Sequence, residues 1–108
     1  MDIITKKTLA LKKLHPNYIS SLGDRHYNTD GEELAINQSN LDSKIAEVDL
    51  DELRAVRNHK LTESDWTQMA DSSLTDSVKA EWVTYRTALK DITDSATSLD
   101  DVVWPEKP

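Results

Sequence analysis

Three histidines, a surplus of carboxylates and scattered hydroxyls are the groups in this sequence that could carry proton-transfer, nucleophilic or metal chemistry. A metal site or an acid–base pair needs such groups at short fixed spacing, as when two histidines four residues apart share one face of a helix. His15, His26 and His59 stand alone, with no His-x-x-x-His pair and no carboxylate–histidine pattern of the metalloprotease kind. His15, just before Pro16, reads as a helix-end residue whose charge the macrodipole favours. The segment His26, Asn28, Asp30, Gly31 faintly resembles the start of a calcium loop, but His26 stands where the first carboxylate belongs and Asn37 where the bidentate Glu belongs. A hairpin turn explains it better.

The other signatures of chemistry are missing. Two glycines, Gly23 and Gly31, cannot build a phosphate-cradling loop, and no Gly-x-Ser-x-Gly elbow occurs. Without cysteine there is no thiolate ligand and no disulfide, which suits a reducing cytoplasm. The abundant carboxylates read as a solvated acidic helical surface, and Asn37-Gln38-Ser39 matches a glycosylation sequon that has no meaning without export. The expectation is a non-enzymatic chain with no catalytic residue, cofactor or metal ligand.

Charge narrows the partners. Residues 1–15 hold four lysines against Asp2, a local charge of +3, so the rest of a chain of net charge −7 carries −10. Nucleic-acid binding is driven by phosphate neutralisation, and such a body repels it. An acidic mimic of nucleic acid needs long rows of acids, whereas Lys44, Arg54, Arg57, Lys79, Arg86 and Lys90 interrupt them. Apolar runs are far shorter than the roughly 20 residues of a membrane span. Lys6, Lys7, Lys12 and Lys13 break up any export signal. Neither nucleic acid nor membrane is expected as a partner; the basic first helix instead offers Lys6 and Lys13 as candidate contacts for an acidic protein surface or for the chain's own acidic body.

At 108 residues the chain is expected to form one compact unit with two regions, 1–50 and 51–108. The fold class reads as α+β and mostly helical. Ile4, Leu11 and Leu14, with Ala10 beside them, predict a helix over 3–14 that Pro16 stops. From Pro16 to Ile36 the pattern is β-like, with turns at Gly23-Asp24 and Asn28-Thr29-Asp30-Gly31, and predicts a short antiparallel hairpin of two or three strands. Ser39 with Asp42 resembles an acidic capping box that starts a helix carrying Leu41, Ile45 and Val48. Leu50, Leu53 and Val56 continue an apolar face at a shifted phase, so 40–61 is one bent helix or two short ones.

Residues 62–74 read as a compact loop, with room for one helical turn, that docks Trp66. Thr75 with Asp76 behind it starts the next helix, expected to run to about Thr93. Val78, Trp82, Tyr85, Leu89 and Ile92 form its apolar stripe, too short for a sustained coiled coil and so expected to pack within the chain. Val102-Val103-Trp104-Pro105 predicts an extended tail that returns Trp104 to the core.

Taken in order, Arg57-Asn58, Leu61, Asp65-Trp66-Thr67-Gln68, Asp71, Trp82, Tyr85-Arg86, Leu89-Lys90-Asp91-Ile92 and Trp104-Pro105 with Pro108 resemble the phage tail assembly chaperone family over about residues 53–108. Two departures are mild: a basic pair usual near Leu89 is here Lys90 alone, and Met69-Ala70 stands where Leu-Pro is common. The resemblance implies a protein that helps assemble, or stays bound to, a phage tail or its fibres, in the host cytoplasm or in the virion tail. Its partner would be a phage tail or tail-fibre protein, and no catalytic residues come with it. Trp66, Trp82, Tyr85, Leu89 and Trp104 are then expected as a core in which loop and tail clamp the last helix, since each ring buries about 150–250 Å². The partner surface is expected beside that clamp, at Arg57, Arg86, Lys90, the basic first helix or a strand edge.

Overall fold

Asp2 starts the first helix by accepting a 2.7 Å hydrogen bond from the Thr5 amide through its side chain. That bond is the largest of the causes that hold its carboxyl below the usual range. The computed structural model describes residues 2–108, in two units, residues 2–49 and 50–108. The element order is α1 (Ile3–Leu14), β1 (Tyr18–Leu22), β2 (Arg25–Asn28), β3 (Glu33–Leu34), α2 (Gln38–Ser64), a 3-10 turn (Asp65–Gln68), α3 (Asp76–Lys90) and a second 3-10 turn (Ile92–Asp94). The fold is α+β and mostly helical, as the sequence predicts.

In the first unit α1 ends where proline requires, with the His15 amide donating to the Leu11 carbonyl at 2.8 Å. Of the predicted apolar face, Ala10 and Leu11 are buried and Leu14 is half-buried, but Ile4 is exposed. Only the last turns of α1 pack against Tyr18, Leu41 and Val48, which complete this unit's core.

The sheet is antiparallel in the order β1-β2-β3. Gly23 opens the first turn with φ +61, and Asp24 keeps φ negative, the hand of a type II′ hairpin. A bulge between Tyr18 and Ser20 precedes the register that pairs Ser21 with His26. The second turn is organised by Asn28, whose Oδ1 accepts from the amides of Asp30 and Glu32 while Gly31 takes φ +77. The apparent calcium-loop residues therefore serve a turn.

Helix α2 departs from expectation at its start. Its cap is Asn37, whose Oδ1 accepts from the Asn40 amide at 3.1 Å, in place of the Ser39–Asp42 box; Asp42 instead accepts from the Gln38 side chain. Asn and Ser are about equal as caps, so sequence alone left the start ambiguous by two residues. It is one helix, Gln38–Ser64, and not two short ones. Leu41 and Val48 are buried in the first unit's core, and Leu53 is buried in the second unit.

In the second unit Thr75 caps α3 as predicted, its Oγ1 accepting from the Val78 amide. The helix stops at Lys90, short of Thr93, and Ile92 falls in the following 3-10 turn while staying buried. Burial deepens along the stripe: Val78 and Trp82 are half-buried, and Tyr85, Leu89 and Ile92 are buried together with Leu53 and Ala96. Beyond it, Asp101 collects the Thr97 and Ser98 amides and the Thr97 hydroxyl, contacts that hold its carboxyl below the usual range, the Ser98 amide most of all.

Candidate functional site

Asp65-Trp66-Thr67-Gln68 forms the 3-10 turn between α2 and α3, and its four side chains divide the work. Thr67 is the buried one, at 0% exposure, with its hydroxyl donating to the Ser64 carbonyl at 2.6 Å and accepting from the Gln68 side chain at 3.0 Å. Asp65 pairs with Arg86 at 2.9 Å. Trp66 is left 49% exposed, and Met69 just beyond it is 55% exposed. The expected docking of Trp66 in the core is thus corrected. In a turn this tight only one of the two central side chains can face inward, and the small hydroxyl of Thr67 fits beneath the end of α2 where an indole does not.

Trp66 still touches the clamp. Its ring lies 6.1 Å from that of Trp82, and Trp82 meets Tyr85 edge-on at 5.6 Å. The three rings step from solvent to core, ending at Tyr85, whose hydroxyl pKa is raised by burial and by nearby Glu63. Trp104 is half-buried against α2, under the Lys60 Nζ at 4.9 Å from the ring centroid. The tail meets α2 through a cation and a ring, with Trp104 half-buried.

The five candidate contact cations separate by use. Arg86 is a fastener: Nη1 donates to the Leu61 carbonyl at 2.8 Å and to Ser64 Oγ at 2.7 Å, and Nη2 holds Asp65. This satisfies a carbonyl of the last turn of α2 with a cation at the negative end of the dipole. The guanidinium is therefore engaged within the unit, by Leu61, Ser64 and Asp65. Lys6 pairs with Asp49 at 2.6 Å. Arg57 is half-buried with Nε donating to Asn58, and Lys13 and Lys90 are exposed.

A second constellation lies in the first unit. The Tyr18 hydroxyl is 2.6 Å from Ser21 Oγ, which is 2.6 Å from His26 Nδ1. His26 is isolated in sequence; the signal that locates its partners is the two-residue Gly23-Asp24 turn, which sets Ser21 opposite His26. A serine and an imidazole at this distance resemble a nucleophile and its base. Here Ser21 Oγ is also engaged by Tyr18, and among the described residues no carboxylate hydrogen-bonds the ring, so the chain is a positioning relay.

Burial lowers the pKa of His26, at 5% exposure, with Lys7 adding to the effect and Asp24 opposing it. A histidine whose folded pKa lies below its unfolded value, about 6.5, contributes stability that is complete above that value and lost as pH falls toward the folded pKa. Melting temperature is therefore expected to drop as pH falls below about 6.5. His26→Gln should flatten that slope, whereas Asp2 and Asp101 lose their contributions only in stronger acid.

Among the described residues no group of three or more His, Cys, Asp or Glu is placed to hold a metal ion. Among them too, no helix is long and apolar enough to cross a membrane. A family model described as phage tail assembly chaperone protein matches residues 50–108, which is the whole of the second unit. A protein of Chromobacterium violaceum with a known solution structure is 36% identical, over 67% of this chain and 72% of that one, with a TM-score of 0.48. Comparison with curated proteins finds no match.

Proposed function

The chain belongs to the phage tail assembly chaperone protein family, and on that premise we propose that it acts by binding a phage tail or tail-fibre protein during assembly in the host cytoplasm. A role in phage tail assembly follows from the family. The proposed action is non-catalytic. It rests on one observation: Trp66, within the family-matched region, is half exposed on a turn that Thr67, Gln68 and Arg86 hold in place.

A rigid, exposed indole beside an exposed methionine has the composition of an interface centre, where Trp and Met are enriched and a few anchors carry most of the energy. Holding the indole in place beforehand lowers the entropy lost on binding. Arg57 and Lys90 on the same unit offer polar contacts for a rim.

Co-expression with neighbouring tail gene products of the same phage, followed by pull-down, tests the reading. Trp66→Ala is expected to abolish capture while costing only about 1 kcal/mol of stability, the loss of one aromatic pair. Undiminished capture by that variant overturns the Trp66 surface. Mass spectrometry of purified virions then separates a transient chaperone, absent from particles, from an adaptor that stays in the tail.

A further inference from the structure

The first unit contains a cavity of about 230 Å³ between α1 and the β1–β2 hairpin, lined by Ile4, Lys7, Thr8, Leu11, Tyr18, Ser21, Gly23 and His26. It lies outside the family-matched region and plays no part in the proposed Trp66 surface.

Its lining is chemically lopsided. Lys7 supplies the one cationic ammonium, and among the described residues Lys7 forms no ion pair, although the chain as a whole is acidic. The neighbouring Lys6 shows the contrast, since it is joined to Asp49. Ser21 and His26 add polar groups, with His26 more than nine-tenths buried, while Ile4 and Leu11 add apolar wall. Tyr18, Ser21 and His26 Nδ1 are joined in one hydrogen-bonded row, which fixes the ring beside the space. One cation and these polar groups thus surround a space whose acidic neighbour, Asp24, lies on the adjoining turn.

We propose that this cavity binds a single carboxylate on a short apolar stem, with Lys7 as its counter-ion and Ile4 and Leu11 against the stem. The volume of about 230 Å³ suits a side-chain-sized acid and is below the roughly 300–1,000 Å³ of pockets that take drug-sized ligands. One lysine, a point charge, matches a monoanion; a phosphate dianion calls for more donors of the arginine kind. The same chemistry is presented by a glutamate in a protein segment and by a free short-chain acid.

The test is amide NMR of the full chain titrated with butyrate, with its neutral isostere butyramide, with inorganic phosphate, and with acetylated peptides carrying a central Glu or Gln. Saturable shifts confined to Lys7, Thr8, Ser21, Gly23 and His26 are expected with butyrate or the Glu peptide. Which of the two binds more tightly identifies the natural source. Lys7→Gln should weaken that binding by about tenfold or more, the worth of a charge-assisted hydrogen bond. If Lys7→Gln unfolds, Ser21→Ala, which interrupts the relay, is used in its place and should weaken binding too. Equal response to butyramide, tighter saturation by phosphate, or no response to either carboxylate overturns the proposal.

Discussion

Leu89→Ala is expected to lower the unfolding free energy by about 2–5 kcal/mol, the range for truncating a fully buried leucine. Leu89 is 0% exposed and sits in the last turn of α3, with Tyr85, Ile92, Ala96 and Leu53 the other buried hydrophobic residues of its unit. The cost has two parts: the apolar area no longer withdrawn from water, and the void left where neighbours cannot collapse. In a domain of this size each kcal/mol moves the melting temperature by roughly 4–8 °C, so a mid-range loss of about 3 kcal/mol means a fall of about 12–24 °C. A thermal melt followed by circular dichroism reads it. Val78→Ala at the half-buried start of the same stripe provides the comparison, and equal effects at the two positions would show that burial does not deepen along α3.

Arg86→Met should cost about 1.5–3 kcal/mol, the worth of hydrogen bonds made by a charged donor in a part-buried setting. Methionine keeps the length of the side chain but abandons the Leu61 carbonyl and Ser64 Oγ, both at the end of α2. The ion pair with Asp65 is a minor part of this, because Asp65 is 55% exposed and half-solvated pairs contribute little. Asp65→Asn should therefore cost less than about 1 kcal/mol. Arg86→Lys retains the charge but not the planar fork that reaches carbonyl, hydroxyl and carboxylate together, so it should recover only part of the loss. A urea titration of the four proteins separates the terms. Should Asp65→Asn prove as damaging as Arg86→Met, the ion pair and not the helix end would be the dominant contact.

The two substitutions bear on different questions from Trp66→Ala. Leu89 and Arg86 hold the scaffold, and their loss should reduce partner capture only as far as it unfolds the second unit. Trp66 is the position at which stability and binding are expected to part, and comparing the three in one pull-down distinguishes a docking surface from a fold requirement.

Local signals in the sequence determined most of the elements. Pro16 ends α1 because it cannot continue a helix, Gly23 and Gly31 mark the two turns because both adopt positive φ, and Thr75 starts α3 because its hydroxyl can accept an amide. The stripe from Val78 to Ile92 follows from helical spacing, and the ordered pattern from Arg57 to Pro108 carries the family. The cap, the turns and the helix stop depend on contacts within a few residues, and the stripe and the family pattern on spacing along the chain. What only the tertiary structure decided is how side chains from separate elements share space. Trp66 and Thr67 are neighbours in sequence, yet the packing under α2 buries the threonine and leaves the tryptophan half exposed. Arg86 is as charged as Lys90, but Leu61 O, Ser64 and Asp65 happen to face it, and so it became a fastener. His26 gained Ser21 and Tyr18 through strand register, and Lys7 gained a cavity through the packing of α1. Sequence fixes spacing along the chain, whereas burial and charge pairing depend on distances through space between residues that may be 25 positions apart, as Arg86 and Leu61 are.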